Sequence, residues 1–176
     1  MSADNIERRV ATGIQASGRT LTGYAAVFGA ETRVGDFIEK IKPGAFTRSL
    51  ESGRDVLALA DHDPSAVLGR TSSGTLALHE DAHGLAFTLT LPDTTKGRDL
   101  AALAARGDLG GCSFGFVATD EEWHGNTREL REVELHEVSV VQSWPAYPQT
   151  TVSLRNRPPQ MLVYNLAARD WLEVSG

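Results

Sequence analysis

Three stretches of this 176-residue chain combine residue types that can do chemistry. The first is Leu109-Gly110-Gly111-Cys112-Ser113-Phe114-Gly115-Phe116-Val117. Read as a strand, its successive side chains alternate between two faces. Cys112, Phe114 and Phe116 then line a core face. Gly111, Ser113 and Gly115 take the other, so one hydroxyl stands between two positions that have no side chain. Glycine inside a strand often marks the close approach of another backbone, and a clearing that admits a peptide is what a serine nucleophile needs. The plain alternative is an ordinary strand serine beside a glycine bulge.

The second stretch is Asp61-His62-Asp63-Pro64, where an imidazole follows an apolar strand and is flanked by carboxylates. It offers a general base, against the plainer readings of a surface turn histidine or a metal-ligand cluster. No second histidine or cysteine sits at ligand spacing, so the metal reading is weak. The third is Leu135-His136-Glu137-Val138-Ser139-Val140-Val141, which sets an imidazole and a carboxylate in an otherwise apolar strand. Burying either costs free energy unless it is paired; the alternative is that one of them points to solvent from an edge. His79, His83 and His124 lie in turns or polar stretches and read as solvated.

Two sharper motif readings fail. Gly111-Cys112-Ser113-Phe114-Gly115 matches the G-x-S-x-G nucleophile elbow, which has meaning only between a strand and a following helix. Here the helical pattern precedes the serine and strand residues follow it. Cys112 offers a thiol, but it shares the face of Phe114 and Phe116, where cysteine behaves as a small hydrophobe.

The positioning elements are mostly strands. Residues 8–28 read as a hairpin, Arg8–Ala16 and Thr20–Phe28, turning at Ser17-Gly18-Arg19. Strands follow at Phe37–Ile41, Asp55–Ala60, Val67–Arg70, Gly74–His79, Gly84–Leu91 and Thr127–Val141, with a last one at Thr151–Leu154. Ala45–Ser52 reads as a short helix. Lys96–Arg106 is the clear helix, rich in Ala and Leu, with Thr94 or Thr95 as N-cap and Gly107 as its stop. Many short strands, few helices and no βαβ rhythm predict a mostly antiparallel β domain of the α+β class with one or two helices.

Composition bounds the function. The chain is 41% hydrophobic and 23% charged with a net charge of −6, which suits one soluble domain and argues against nucleic acid or an anionic membrane as partner. Its single cysteine excludes an internal disulfide and fits a reducing compartment. No apolar run approaches the roughly 20 residues of a membrane span, and the N-terminus shows no secretion signal, so an intracellular protein is expected.

The three stretches also fall into a longer ordered pattern. It runs Gly23-Tyr24-Ala25-Ala26-Val27-Phe28, Lys42-Pro43-Gly44-Ala45-Phe46, Leu59-Ala60-Asp61-His62-Asp63 with Leu68-Gly69-Arg70, and Gly84-Leu85-Ala86-Phe87. It continues with Gly111-Cys112-Ser113-Phe114-Gly115-Phe116, Glu137-Val138-Ser139-Val140-Val141 and Pro145-Ala146-Tyr147-Pro148. The ordered set, over residues 8–155, resembles the prohead (capsid maturation) proteases of tailed bacteriophages, serine peptidases related in fold to the herpesvirus assembly proteases.

That resemblance implies a curved antiparallel sheet or a β-barrel of the herpesvirus-protease type, with residues 1–157 as protease domain and 158–176 as a C-terminal tail. It implies a nucleophilic Ser113, a catalytic His62 and a third member on residues 133–141. Glu137 takes that place because Glu-Val-Ser is the matching piece; His136 is the alternative, since the herpesvirus relatives use a second histidine there. Strict alternation puts His136 and Glu137 on opposite faces without saying which is inward. No cofactor and no metal are implied. The implied substrates are the major capsid protein and the scaffold or scaffold-like segment, and the enzyme itself, inside a procapsid assembling in the host cytoplasm. Neither nucleic acid nor membrane is a partner on this reading, and a homo-oligomer is compatible with it. The competing expectation is a non-catalytic capsid- or scaffold-binding assembly factor of the same fold.

Overall fold

The computed structural model describes residues 6–11 and 13–143. The strands are β1 (Glu7–Ala11), β2 (Gln15–Ser17), β3 (Thr20–Val27), β4 (Thr32–Val34), β5 (Phe37–Ile41) and β6 (Leu57–Ala60). After them come β7 (Asp63–Arg70), β8 (Leu76–Glu80), β9 (Gly84–Thr90), β10 (Gly111–His124) and β11 (Thr127–Val141). Helix α1 (Thr47–Glu51) lies between β5 and β6, and α2 (Thr95–Arg106) between β9 and β10.

These strands form two sheets. The larger runs β1-β10-β11-β5-β4, with β6 also on β11 and β7 on β6; the smaller runs β2-β3-β9-β8. One apolar cluster takes residues from both, including Leu21, Phe87 and Leu89 from the smaller sheet and Cys112, Phe114, Val138 and Val140 from the larger. Phe46 fills the space beside them, its ring edge-on to Phe114 with centroids 5.5 Å apart. Helix α2 begins as its sequence predicts: Thr94 caps it by accepting from the Gly97 amide at 3.2 Å. It stops at Gly107, which takes φ 76°. Gly97 is required for packing, because a Cβ there would lie 2.1 Å from the Pro92 carbonyl oxygen.

The mostly β, α+β class is therefore what the chain adopts. Pairing is mostly antiparallel as expected, and the larger sheet adds two parallel pairings, β11 with β5 at its start and β11 with β6 at its end. Two expectations need correction. Among the described residues the sheets do not close into a barrel. The predicted hairpin of residues 8–28 is also divided. Gly13, at φ 99°, separates β2, which does pair with β3, from β1, which crosses to the edge of β10 instead. Strand β4 and the long extension of β10 to His124 were not foreseen. The expected strand at Thr151–Leu154 and the 158–176 tail lie outside the described residues.

The reason β1 leaves the hairpin is electrostatic. Its Glu7 and Arg9 point into the protein, where both are almost fully buried. Arg9 forks onto Glu39 of β5 through two bonds of 2.5 and 2.6 Å and reaches Glu7 at 2.9 Å. Arg128 of β11 forks onto Glu7 at 2.5 and 2.8 Å, reaches Glu39 at 3.0 Å, and also pairs with Glu121. Charges taken out of water need such partners to be tolerated at all, and the required partners lie on β5, β10 and β11. Burial pushes the Glu7 carboxyl up, but the guanidinium groups of Arg128 and Arg9 outweigh it and hold it below the usual range.

Replacing Arg128 with Met leaves the buried carboxylates of Glu7 and Glu39 to share the guanidinium of Arg9 and is expected to cost about 3–5 kcal/mol in urea unfolding. Glu7, with a depressed folded-state value, contributes its stability fully above the ordinary glutamate value of about 4.3 and loses it as pH falls through the lower folded value. The gap between wild type and Arg128→Met should therefore narrow as unfolding is repeated below about pH 4.3.

Candidate active site

Strand β10 divides its side chains as expected. Cys112, Phe114 and Phe116 enter the core. Ser113 faces the other way, opposite Val10 of β1 and Ser139 of β11. Its hydroxyl is fully buried (0% exposed) and has no hydrogen-bond partner among the described residues. Burial pushes the Cys112 thiol far up, so it stays protonated and unreactive.

Beside Ser113, Gly115 pairs with Glu137. A Cβ on Gly115 would stand 2.6 Å from Glu137 Cγ and 2.8 Å from Oε1. The clearing read in the sequence as space for a peptide is thus occupied, at Gly115, by the glutamate side chain crossing from β11. The carboxylate is held on both oxygens. Ser139 Oγ donates to Oε2 at 3.1 Å, Arg8 Nε donates to Oε1 at 2.9 Å, and His62 Nδ1 meets the same Oε1 at 2.8 Å. Burial pushes the Glu137 carboxyl up, but its hydrogen bonds and charge contacts with His62 and Arg8 outweigh that and hold it below the usual range.

His62 reaches Glu137 from a two-residue turn. Ala60 pairs with Asp63 across Asp61-His62, and both turn residues take positive φ, 49° and 62°. That is the backbone of a type I′ hairpin turn, usually supplied by Asn and Gly, and left-handed backbone costs a residue other than glycine roughly 1–2 kcal/mol. The turn is pinned to the end of β11: the Asp61 amide donates to the Val140 carbonyl at 3.0 Å, and the Asp61 carboxylate accepts from the Gln142 amide at 2.9 Å and from its side chain. Asp63 accepts from the Ser65 amide and hydroxyl at 2.8 and 2.7 Å. The two flanking aspartates therefore hold backbone, and the distant Glu137 is the carboxylate on the ring. A carboxylate on Nδ1 makes that nitrogen the donor and leaves Nε2 as acceptor, the tautomer of a general base.

His136 sits differently from what strict alternation implies. The register slips between Gly115 and Phe116, which pair with Glu137 and Leu135, so His136 is the extra residue of a β-bulge. Leu135 and Val138 both enter the core across it. The bulge cancels the alternation between His136 and Glu137, and what separates them is register. Glu137 lies opposite Gly115, whereas the His136 ring lies against Glu134, Nε2 to Oε1 at 3.0 Å without the alignment of a hydrogen bond.

Arg8, Ser139 and the clamping role of Asp61 were absent from the sequence reading. Ser139 had a signal, since Glu-Val-Ser puts Glu137 and Ser139 on one face. Arg8 had none, because its place depends on β1 pairing with β10 across about a hundred residues.

Gly115→Ala tests the clearing. The added methyl must displace Glu137 from His62, and if this pair serves peptide-bond cleavage a shift of about 1 Å there is expected to cost on the order of a hundredfold in rate. Glu137→Gln, which leaves the shape intact, should retain its thermal melt and lose about as much or more, measured on the same peptide-bond assay.

The arrangement can be set against known proteins. No curated protein sequence matches the chain. Among solved structures, the bacteriophage T4 capsid assembly protease gp21 shares the fold, with a TM-score of 0.55 over 79% of this chain and 99% of that one at 11% identity. The sequence matches the profile of the caudovirus prohead serine proteases over residues 4–162, nearly its whole length. The chain belongs to the caudovirus prohead serine protease family.

Proposed function

We propose that this protein is a serine endopeptidase whose nucleophile is Ser113, whose general base is His62 and whose orienting carboxylate is Glu137. The observation that carries this reading is the 2.8 Å contact from Glu137 Oε1 to His62 Nδ1, made on the face and between the strands that present Ser113. In the reaction, Ser113 Oγ attacks the scissile carbonyl carbon while its proton passes to His62 Nε2. The tetrahedral intermediate collapses, the same proton leaves on the departing amine, and water releases the acyl group by the reverse sequence. Glu137 stays ionised throughout and stabilises the imidazolium. The Ser113 hydroxyl has no hydrogen-bond partner among the described residues, so the reading requires His62 Nε2 to come within hydrogen-bond reach of it during the reaction.

Its substrates are the major capsid protein, at a scaffold-like N-terminal segment, or a separate scaffold, and the enzyme itself, cut inside a procapsid assembling in the host cytoplasm. Family membership supports this choice. The buried, unpartnered hydroxyl of Ser113 favours a second reading, a non-catalytic factor that binds capsid or scaffold chains. Co-expression with a candidate major capsid protein, followed by N-terminal sequencing of any shortened product, separates the two. Wild type and Cys112→Ala should yield the same new N-terminus, and Ser113→Ala should leave the capsid protein at full length while folding normally. Full-length capsid protein in all three samples, with the chain still bound to it, would support the binding factor.

A further inference from the structure

The N-terminal strand reaches the site through one residue. Glu7 and Arg9 of β1 face inward to the buried ion cluster, so alternation turns Arg8 and Val10 to the Ser113 side. Arg8 pairs with Gly115, the position over which the Glu137 side chain crosses, and its Nε donates to the oxygen that also meets His62. We propose that Arg8 is a positioning residue of the active site, fixing the Glu137 carboxylate against His62. The proposal rests on Glu137 being the orienting carboxylate.

A carboxylate held by one partner is free to rotate about its last bond; Arg8 on Oε1 and Ser139 on Oε2 remove that freedom. The guanidinium also sets a fixed positive charge beside the Glu137 carboxylate, which raises the free energy of adding a proton to it. The other charges on the turn are committed elsewhere: Asp61 to Gln142, and Asp63 to Ser65 with Lys96 acting on it. Strand β10 presents only Ser113 and Gly115 here, β11 adds Ser139, and β6 brings Leu57 and Leu59 opposite Glu137 and Ser139. The Arg8 side chain is 41% exposed, so replacing it leaves the core untouched.

The test is the rate of Ser113 labelling by a fluorophosphonate as a function of pH, in the full chain, for wild type, Arg8→Gln, Arg8→Lys and Glu137→Gln. Arg8→Gln should label about tenfold more slowly at its plateau, the scale of one hydrogen bond to a charged group, with its acidic limb moved up by about one pH unit. Glu137→Gln should move the limb the opposite way, because removing the negative charge disfavours the protonated ring. Arg8→Lys keeps the charge but loses the directed Nε–H, so its limb should match wild type while its plateau falls. A wild-type limb in Arg8→Gln beside a lowered one in Glu137→Gln overturns the role of Arg8 and leaves that of Glu137 standing. Wild-type rate and limb in Glu137→Gln, or no labelling of wild type, overturns both. If Arg8→Gln fails to fold, an unchanged plateau in Arg8→Lys overturns the proposal.

Discussion

Nearly every unusual feature of the larger sheet answers to one group, the buried carboxylate of Glu137. An ionised carboxylate out of water must be compensated by hydrogen bonds and opposite charge. Here the compensation comes from three separate elements: Arg8 on β1, Ser139 on β11 itself, and His62 on the β6–β7 turn. Gly115 leaves the space in which the side chain lies, and the bulge at His136 sets which residue of β11 arrives opposite that space. The backbone cost of two left-handed residues at Asp61-His62 is met by the Asp61 bonds to β11 and by the Glu137 contact, as expected where local strain serves a site.

A second buried polar assembly stands on the opposite face of β1. The cluster of Glu7, Arg9, Glu39 and Arg128 is not needed for a hydrophobic core; ion pairs in such places are often replaceable by apolar residues at little loss. Its geometric consequence is more specific. It fixes which edge β1 occupies and in which register, and so delivers Arg8 to Glu137. Sheet edge, ion cluster and candidate site are linked through three consecutive residues, Glu7, Arg8 and Arg9.

Much of this was legible in the sequence because it follows from local rules. The division of Cys112, Phe114 and Phe116 from Ser113 is strand alternation; the α2 boundaries follow from Thr94 and Gly107; the mostly β class follows from strand spacing. The residues that meet as Glu137 and His62 stood out in the sequence as a polar pair in an apolar strand and a histidine in a charged turn. What the sequence withheld depends on pairing between distant segments. The inward direction of the charged Glu7 and Arg9 follows only once Glu39 and Arg128 are placed beside them, and a bulge that realigns His136 leaves no mark in its own residues. The parallel pairing of β11 with both β5 and β6 is likewise set by the tertiary arrangement, with no helix-rich βαβ rhythm to announce it.

The proposed activation of Ser113 by the Glu137-oriented His62 is tested most directly by peptide mass mapping after reaction with diisopropyl fluorophosphonate. The account predicts one adduct, on Ser113, that is missing from His62→Gln protein of unchanged fold. An adduct on another serine, or equal modification of Ser113 in the His62→Gln protein, would contradict it.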